Sequence, residues 1–252
     1  MGDAPYSHAQ VNLLDTMIER INAEPLAFAV HVGDITSGEG PCDDEWLEAR
    51  KRQFGKIKHP FVLLPGDNEW TDCHRTGFVA TERLRKWREL FCLGVPLPEF
   101  KRQKAPYCEN VRWISANVVF VGLNIPGSNN NLTEDPIEHG ERMQAVFAWL
   151  DQAAALARGR EGLVVVMHAN PFVTRRIGAD GYTAVRERLR RLAAEMPGKV
   201  LLVHGDTHQF KDDEPLPGLR RTEVFGSPWV RWSRATIDRT PKVRFTIEAI
   251  PP

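Results

Sequence analysis

The sequence holds no long apolar run. None approaches the roughly 20 residues that a membrane-spanning helix needs. No secretory leader is visible either; the chain opens at MGDAPY, with no strand in front of Asp3. That opening predicts a first strand partly missing from the N-terminus. An excess of either charge is also lacking. Lys plus Arg number 33 and Asp plus Glu number 33, so no net field draws nucleic acid or an anionic membrane. The densest basic run, RERLRR at Arg186–Arg191, reads as the solvated face of a helix. Cysteine is sparse, at 4 residues, and none forms a CxxC pair, which argues against a structural zinc site. Repeats and low-complexity linkers are absent. At 252 residues and 42% hydrophobic, the chain has enough apolar material for a substantial core. We read residues 1–252 as a single domain.

What is present is an alternation of strand-like and helix-like segments, the mark of a layered α/β domain. LLDTMIERINA, DEWLEARKRQFGKI, TERLRKWRELF and RMQAVFAWLDQAAALAR have helical periodicity, and another helix is expected near Tyr182–Glu195. CENVRWISA and NVVFVGLNI read as neighbouring strands. RTEVFG, VRWSRATID and KVRFTIEAI alternate with no helix between them, which predicts antiparallel pairing in the tail.

One pattern recurs. The apolar strands FAVHVGD, FVLLPGDN, VFVGLN, VVVMHAN and LLVHGDTH all stop on polar residues. In open α/β sheets ligands sit beyond the carboxyl ends of strands. Side chains placed there converge on one rim: Asp3, Asp34, Asp67, Asn68, His168, His204, Asp206 and His208. Imidazole suits zinc, iron and other transition metals, and carboxylate oxygen suits harder ions such as manganese. Two metals about 3.5–4 Å apart, bridged by a carboxylate, activate a water and clamp a phosphoryl group. Glycines before Asp3, Asp34, Asp67 and Asp206 allow tight turns from strand to loop.

In order and spelling, GDAPY, VGDI, PGDNEW, VMHAN and HGDTH resemble the motifs of the calcineurin-like metallophosphoesterases. That superfamily includes purple acid phosphatases and phosphoprotein phosphatases, and it reads D-x-H, G-D, G-N-H-E/D, a strand-end His, then G-H-x-H. The match spans Gly2 to His208. The forms GDxPY, GDNEWxDC and HGDTH resemble a bacterial branch of it. The resemblance implies a four-layer α/β/β/α sandwich of two mixed sheets with the site at one rim. It also implies two divalent metal ions (Mn, Fe or Zn) and a metal-bound hydroxide that attacks phosphorus in a phosphate mono- or diester, of a small molecule or a headgroup. A catalytically degraded scaffold with the same fold is the alternative.

Carried over by position, Asp34 bridges both metals, Asp3 and His208 hold the first, and His168 holds the second. This sequence departs from the pattern three times. Pro5 stands where the family has a ligand histidine, and Tyr6 or His8 is available to compensate. Asp67 stands in the place of the family's Asn, and Asn68 in the place of its catalytic His, so either is a candidate ligand. Asp206 replaces the first His of the last motif, with His204 two residues earlier; on an extended segment the two face one side. His74 is the nearest substitute for the missing catalytic His, and Arg75 suits a phosphate. Asn124 and Asn129, in the loop NIPGSNNN, are candidate substrate-binding donors.

Other residues read more plainly. His31 is expected in the core, His59 and His139 on surface loops. Trp70, Trp229 and Trp232 are expected to pack rather than bind a ligand. Cys42 and Cys73 each follow a rim motif and are candidates for a disulfide, with free buried thiols the alternative. The resemblance adds that relatives often look exported, which favours the periplasm or the outside of the cell over the cytoplasm.

Overall fold

The computed structural model describes residues 1–173, 178–238 and 244–250. A small parallel sheet contains β1 (Ala29–His31) and β2 (Phe61–Leu63). Met1–Asp3 lies alongside β1. The Met1 amine donates to the Val30 carbonyl at 3.2 Å, Val32 N–H to the Met1 carbonyl at 2.9 Å and Asp3 N–H to the Gly33 carbonyl at 2.9 Å. Asp3 therefore has strand-like support, contrary to what its abrupt start suggests.

The large sheet has the order β3-β4-β5-β6-β7-β9-β8. Its strands are β3 (Lys101–Arg102), β4 (Val111–Ser115), β5 (Val118–Gly122), β6 (Gly162–Val166), β7 (Val200–His204), β8 (Lys211–Leu216) and β9 (Leu219–Glu223). β5, β6, β7 and β9 run parallel; β4 and β8 pair antiparallel near the two edges. The parallel strands are buried on both faces, so β5 and β6 read as unbroken apolar runs, VVFVG and GLVVV.

Three apolar clusters separate four layers. Between the sheets lie Val32, Val62, Leu64, Trp113, Phe120, Val164, Val166 and Leu201. Outside the small sheet, helices His8–Ala23, Asp44–Phe54 and Ala80–Phe91 contribute Leu14, Ile18, Leu47 and Trp87. Outside the large sheet, helices Pro136–Ala157 and Thr183–Glu195 contribute Val146, Leu150, Val185 and Leu189. This is the α/β/β/α sandwich expected. Helix starts follow from local chemistry: Ser7, Asp43 and Asp135 side chains accept the backbone N–H of Gln10, Trp46 and Glu138.

The tail differs from expectation. β10 (Trp232–Asp238) and β11 (Arg244–Ile250) form an antiparallel hairpin, but β9, which takes in the first three residues of RTEVFG, pairs in parallel with β7. Residues 242 and 243 of KVRFTIEAI lie outside the described residues. β8, with the sequence KDDEPL, carries no apolar signal. It is an edge strand, where charge and a proline are tolerated, and its register shifts between Asp213 and Leu216, around Pro215. His139 sits in the first turn of helix Pro136–Ala157, not on a loop.

Cys42 is bonded to Cys73 and Cys92 to Cys108, with separations of 31 and 16 residues. In the chain-entropy picture each such loop closure is worth about 3–4 kcal/mol. The second bridge has no sequence signal apart from the even count.

Leu64, fully buried between the sheets, is one measure of this core. Leu64→Ala should lower the free energy of unfolding by about 2–5 kcal/mol in urea denaturation.

Candidate metal centre

The apolar strands β1, β2, β6 and β7 end at one rim and deliver Asp34, Asp67, His168 and Asp206 there. Asp3 arrives from the segment beside β1. Close approach of the chains sets the local sequence. Gly33 has φ +118°, and a Cβ there would lie 2.5 Å from the Gly66 nitrogen and 2.9 Å from His168 Nδ1. Only glycine leaves room for the imidazole. Asp3, Asp34, Asp206 and His208 themselves have φ of 52°, 60°, 79° and 59°. Left-handed backbone costs a non-glycine residue roughly 1–2 kcal/mol, least for Asp and Asn, so four strained positions coincide with the acidic rim.

Two donor triads share one imidazole. Asp3, Asp34 and His168 offer ligand atoms all within 4.8 Å of one another, and so do Asp67, His168 and Asp206. His168 Nε2 lies 2.9 Å from Asp67 Oδ1, 3.4 Å from Asp34 Oδ1 and 3.9 Å from Asp206 Oδ1. The 2.9 Å approach lacks hydrogen-bond alignment: both His168 nitrogens, Asp67 Oδ1 and Asp3 Oδ2 are buried without a hydrogen-bond partner. A cation among them satisfies those lone pairs, and the oxygen-rich donor set with one imidazole suits a pair of divalent ions. His208 stands beside the first triad, with Nε2 3.6 Å from Asp3 Oδ1. Its Nδ1 donates to the Ser227 carbonyl at 2.8 Å, which leaves the Nε2 lone pair free to ligate. Tyr6 bridges the two halves: its hydroxyl donates to Asp34 Oδ2 at 2.7 Å and sits 3.0 Å from His208 Nε2.

Burial and mutual repulsion govern the electrostatics. Burial pushes the Asp3 carboxyl up to about 7 and Asp206 up to about 6, and raises Asp34, against the pull of His168 on all three. Burial also works to raise Asp67, but the charge of the His168 imidazolium 2.9 Å away and the Ser128 hydroxyl outweigh that and hold it low. His168, disfavoured as a cation by burial, is nonetheless raised by Asp34, Asp67 and Asp3.

Not every expected residue joins the site. His204 does not. Along β7, Leu201 faces the sheet interface and Leu202 the outer helices, so His204 faces the helix side with Leu202. β7 ends at His204 and the chain turns through Gly205 to Asp206, which breaks the extended alternation that put the two on one side. Asn68 does reach the rim: its side-chain amide donates to Asp34 Oδ2 at 2.6 Å and to the Thr36 carbonyl at 2.9 Å. Asn124 is turned inward, bonding Glu109 at 3.1 Å, and the Asn129 side chain bonds Thr133 in its own loop and the backbone of Ala179 and Gly181, ahead of helix Thr183–Glu195. His74 is exposed, with Nδ1 2.8 Å from the Thr71 carbonyl. Arg75, 42% exposed, pairs with Asp72 at 2.8 Å.

Sequence reasoning missed Ser128, Glu69 and Asp72. Ser128 Oγ lies 2.9 Å from Asp67 Oδ2 and 2.8 Å from Asp72 Oδ2, and Arg75 Nη2 donates to it at 3.3 Å. Ser128 through Asn131 all have positive φ, from 46° to 61°. A run of asparagines is the sequence signal for such a left-handed turn. Buried Glu69 accepts the Gly66 N–H at 2.8 Å and fixes the PGD turn.

The same fold occurs in solved structures. A dimetal phosphatase from Danio rerio aligns at 13% identity over 90% of this chain and 86% of that one, with a TM-score of 0.54. PhoD aligns at 14% identity over 89% of this chain, with a TM-score of 0.57; the chain spans only 55% of that protein's length. No protein-family model and no curated protein matches the sequence. The chain thus has the metallophosphoesterase fold, and at these identities the likeness is one of fold.

The folded, metal-free chain keeps protons on Asp3 and Asp206 up to about pH 7 and 6, whereas the unfolded chain loses them near pH 4. The folded state binds more protons across that window, so its stability falls as pH rises. Raised His168 acts in the same direction above its unfolded value. With chelator present, Tm should drop between pH 5 and 7.5. Manganese or zinc should restore it most at the upper end, as thermal scans with and without metal would read.

Proposed function

We propose that this chain is a metal-dependent phosphoric ester hydrolase, a phosphatase or phosphodiesterase. One observation carries the reading: two donor triads, buried except for a half-buried Asp206, that share His168 and leave carboxylate and imidazole lone pairs unpartnered at the rim of this fold. Asp3, Asp34 and His208 would hold one divalent ion, and Asp67, His168 and Asp206 the other, with Asp34 within 3.4 Å of the shared imidazole. Asp67 is favoured over Asn68 as a ligand, and Asp206 over His204. Such ions supply an activated water and neutralise phosphoryl oxygens.

The chain's own groups do the rest. Asn68 and Tyr6 fix both oxygens of Asp34. Backbone N–H groups of Asp206 and Asn170 fix Asp3 and Asp206 at 2.9 and 3.0 Å. Ser128 fixes Asp67, and the partly exposed Arg75, which donates to Ser128, has guanidinium N–H groups suited to phosphate oxygens. The likeness to a dimetal phosphatase and to PhoD supports the reaction class.

Asp34→Asn should abolish hydrolysis of p-nitrophenyl phosphate and of its bis ester, a loss of at least about 100-fold in kcat, and lower the metal content measured by mass spectrometry. Full activity in metal-stripped wild-type protein would sink the reading. Metal bound with no turnover of any ester would favour the degraded scaffold, to which Pro5 and Asn68 point.

Two disulfides among four cysteines support an oxidising compartment, the periplasm or outside the cell. Dithiothreitol should lower the Tm of the purified protein; an unchanged Tm alongside fully alkylated thiols would argue against a structural role for the bonds.

A further inference from the structure

Beyond the metal triads, the rim beside His208 carries a feature the reaction above leaves unused. The segment Phe225–Trp229 borders the centre directly. A Cβ built on Gly226 would lie 2.6 Å from Asp3 Cβ and 2.8 Å from His208 Cδ2, so this backbone packs against both side chains. Ser227 accepts the His208 ring N–H, and Trp229 N–H closes a turn onto the Gly226 carbonyl at 3.0 Å.

From that border a ladder of flat groups leads outward. Phe210, two residues after His208, stacks on Phe225 with centroids 4.7 Å apart and planes 10° apart. The Arg231 guanidinium carbon lies 5.6 Å from the Phe225 ring and 5.1 Å from the Trp229 ring, so the cation touches both. Trp229 ends the ladder with 56% of its surface exposed, whereas Trp70 and Trp232 are buried at 0% and 5%.

Arg231 itself is poorly satisfied. Its Nε is buried without a hydrogen-bond partner, and among the described residues no carboxylate lies within ion-pairing distance of it. Arg75, Arg88, Arg142, Arg220, Arg221 and Arg234, in contrast, all face acids. An exposed indole beside an unpaired guanidinium, one turn from a metal ligand, offers a flat apolar face and a positive charge to whatever lies on the rim.

We propose that this ladder is the subsite for the alcohol part of the ester, and that this part carries an aromatic ring which stacks on Trp229 beside Arg231. The substrate class is then an aryl or nucleoside phosphate rather than an alkyl one. The inference rests on the phosphoesterase reading and deepens it.

The test compares kcat/KM for p-nitrophenyl phosphate, adenosine 5′-monophosphate and glycerol 3-phosphate in metal-loaded protein. Trp229→Ala should lower the ratio of aromatic to glycerol ester by about 10-fold, through KM, in line with the loss of one base–aromatic stack. Trp229→Phe should keep most of the preference, and Arg231→Gln should lose part of it. A larger effect on adenosine monophosphate identifies a nucleoside, and a larger effect on p-nitrophenyl phosphate an aryl group. An unchanged ratio overturns the proposal, as does an equal loss on all three esters. Should no ester be hydrolysed, the phosphoesterase reading fails separately. Calorimetric titration with adenosine monophosphate then decides: saturable binding lost in Trp229→Ala supports the subsite, and no binding, or binding unaltered in the variant, refutes it.

Discussion

The structure depends on confining negative charge in a dry space. Asp3, Asp34, Asp67 and Asp206 surround one imidazole, and Glu69 is buried close by. Two like charges 4 Å apart repel by about 4 kcal/mol at an effective dielectric of 20. The burial-driven rise of three of these carboxyls is that repulsion and desolvation expressed as proton affinity. Holding such a set together requires a frame that does not relax. Two sheets pressed face to face, with buried strands ending at one level, provide it.

The supports around the acids tie carboxylate oxygens to the frame: Asp34 has both held, by Asn68 and Tyr6, and the other three have one each. Asp3 Oδ1 accepts the Asp206 N–H, Asp206 Oδ2 the Asn170 N–H and Asp67 Oδ2 the Ser128 hydroxyl. In each case the other oxygen is left for the interior of the site. Further layers hold the supports. Buried Glu223 accepts from Thr207 and Gln209, the two residues flanking His208. Buried Arg142 grips the carbonyls of Asn124 and Asn130 and so fixes the strained turn that carries Ser128. Left-handed backbone at Asp3, Asp34, Asp206 and His208 persists because these contacts over-determine it.

Much of this was legible in the sequence, for a physical reason. The central parallel strands β5, β6 and β7 are apolar along nearly their whole length, so a polar residue at the end of such a run stands out; VVVMHAN and LLVHGDTH announced His168 and Asp206 that way. Glycines before the acids marked the tight turns. Residues whose placement depends on a chain reversal were not legible. His204 and Asp206 look equivalent until β7 stops between them. Asn124 and Asn129 are polar and lie at a strand end, but Glu109 and the backbone of Ala179 and Gly181 claim their hydrogen bonds. β8 was invisible because an edge strand needs no apolar pattern. Trp229 was expected to pack, since most tryptophans do; its exposure follows from a turn that the letters SPW do not spell out.

The bond between Cys42 and Cys73 joins the loops that leave β1 and β2, the two strands that deliver Asp34 and Asp67. Thermodynamic reciprocity then links bond and acids: an ion that binds more tightly to the oxidised chain makes the sulfur pair harder to reduce by the same free energy. If the centre holds cations as proposed and the bond favours their binding, the redox state of a sample and its ion content would be coupled quantities.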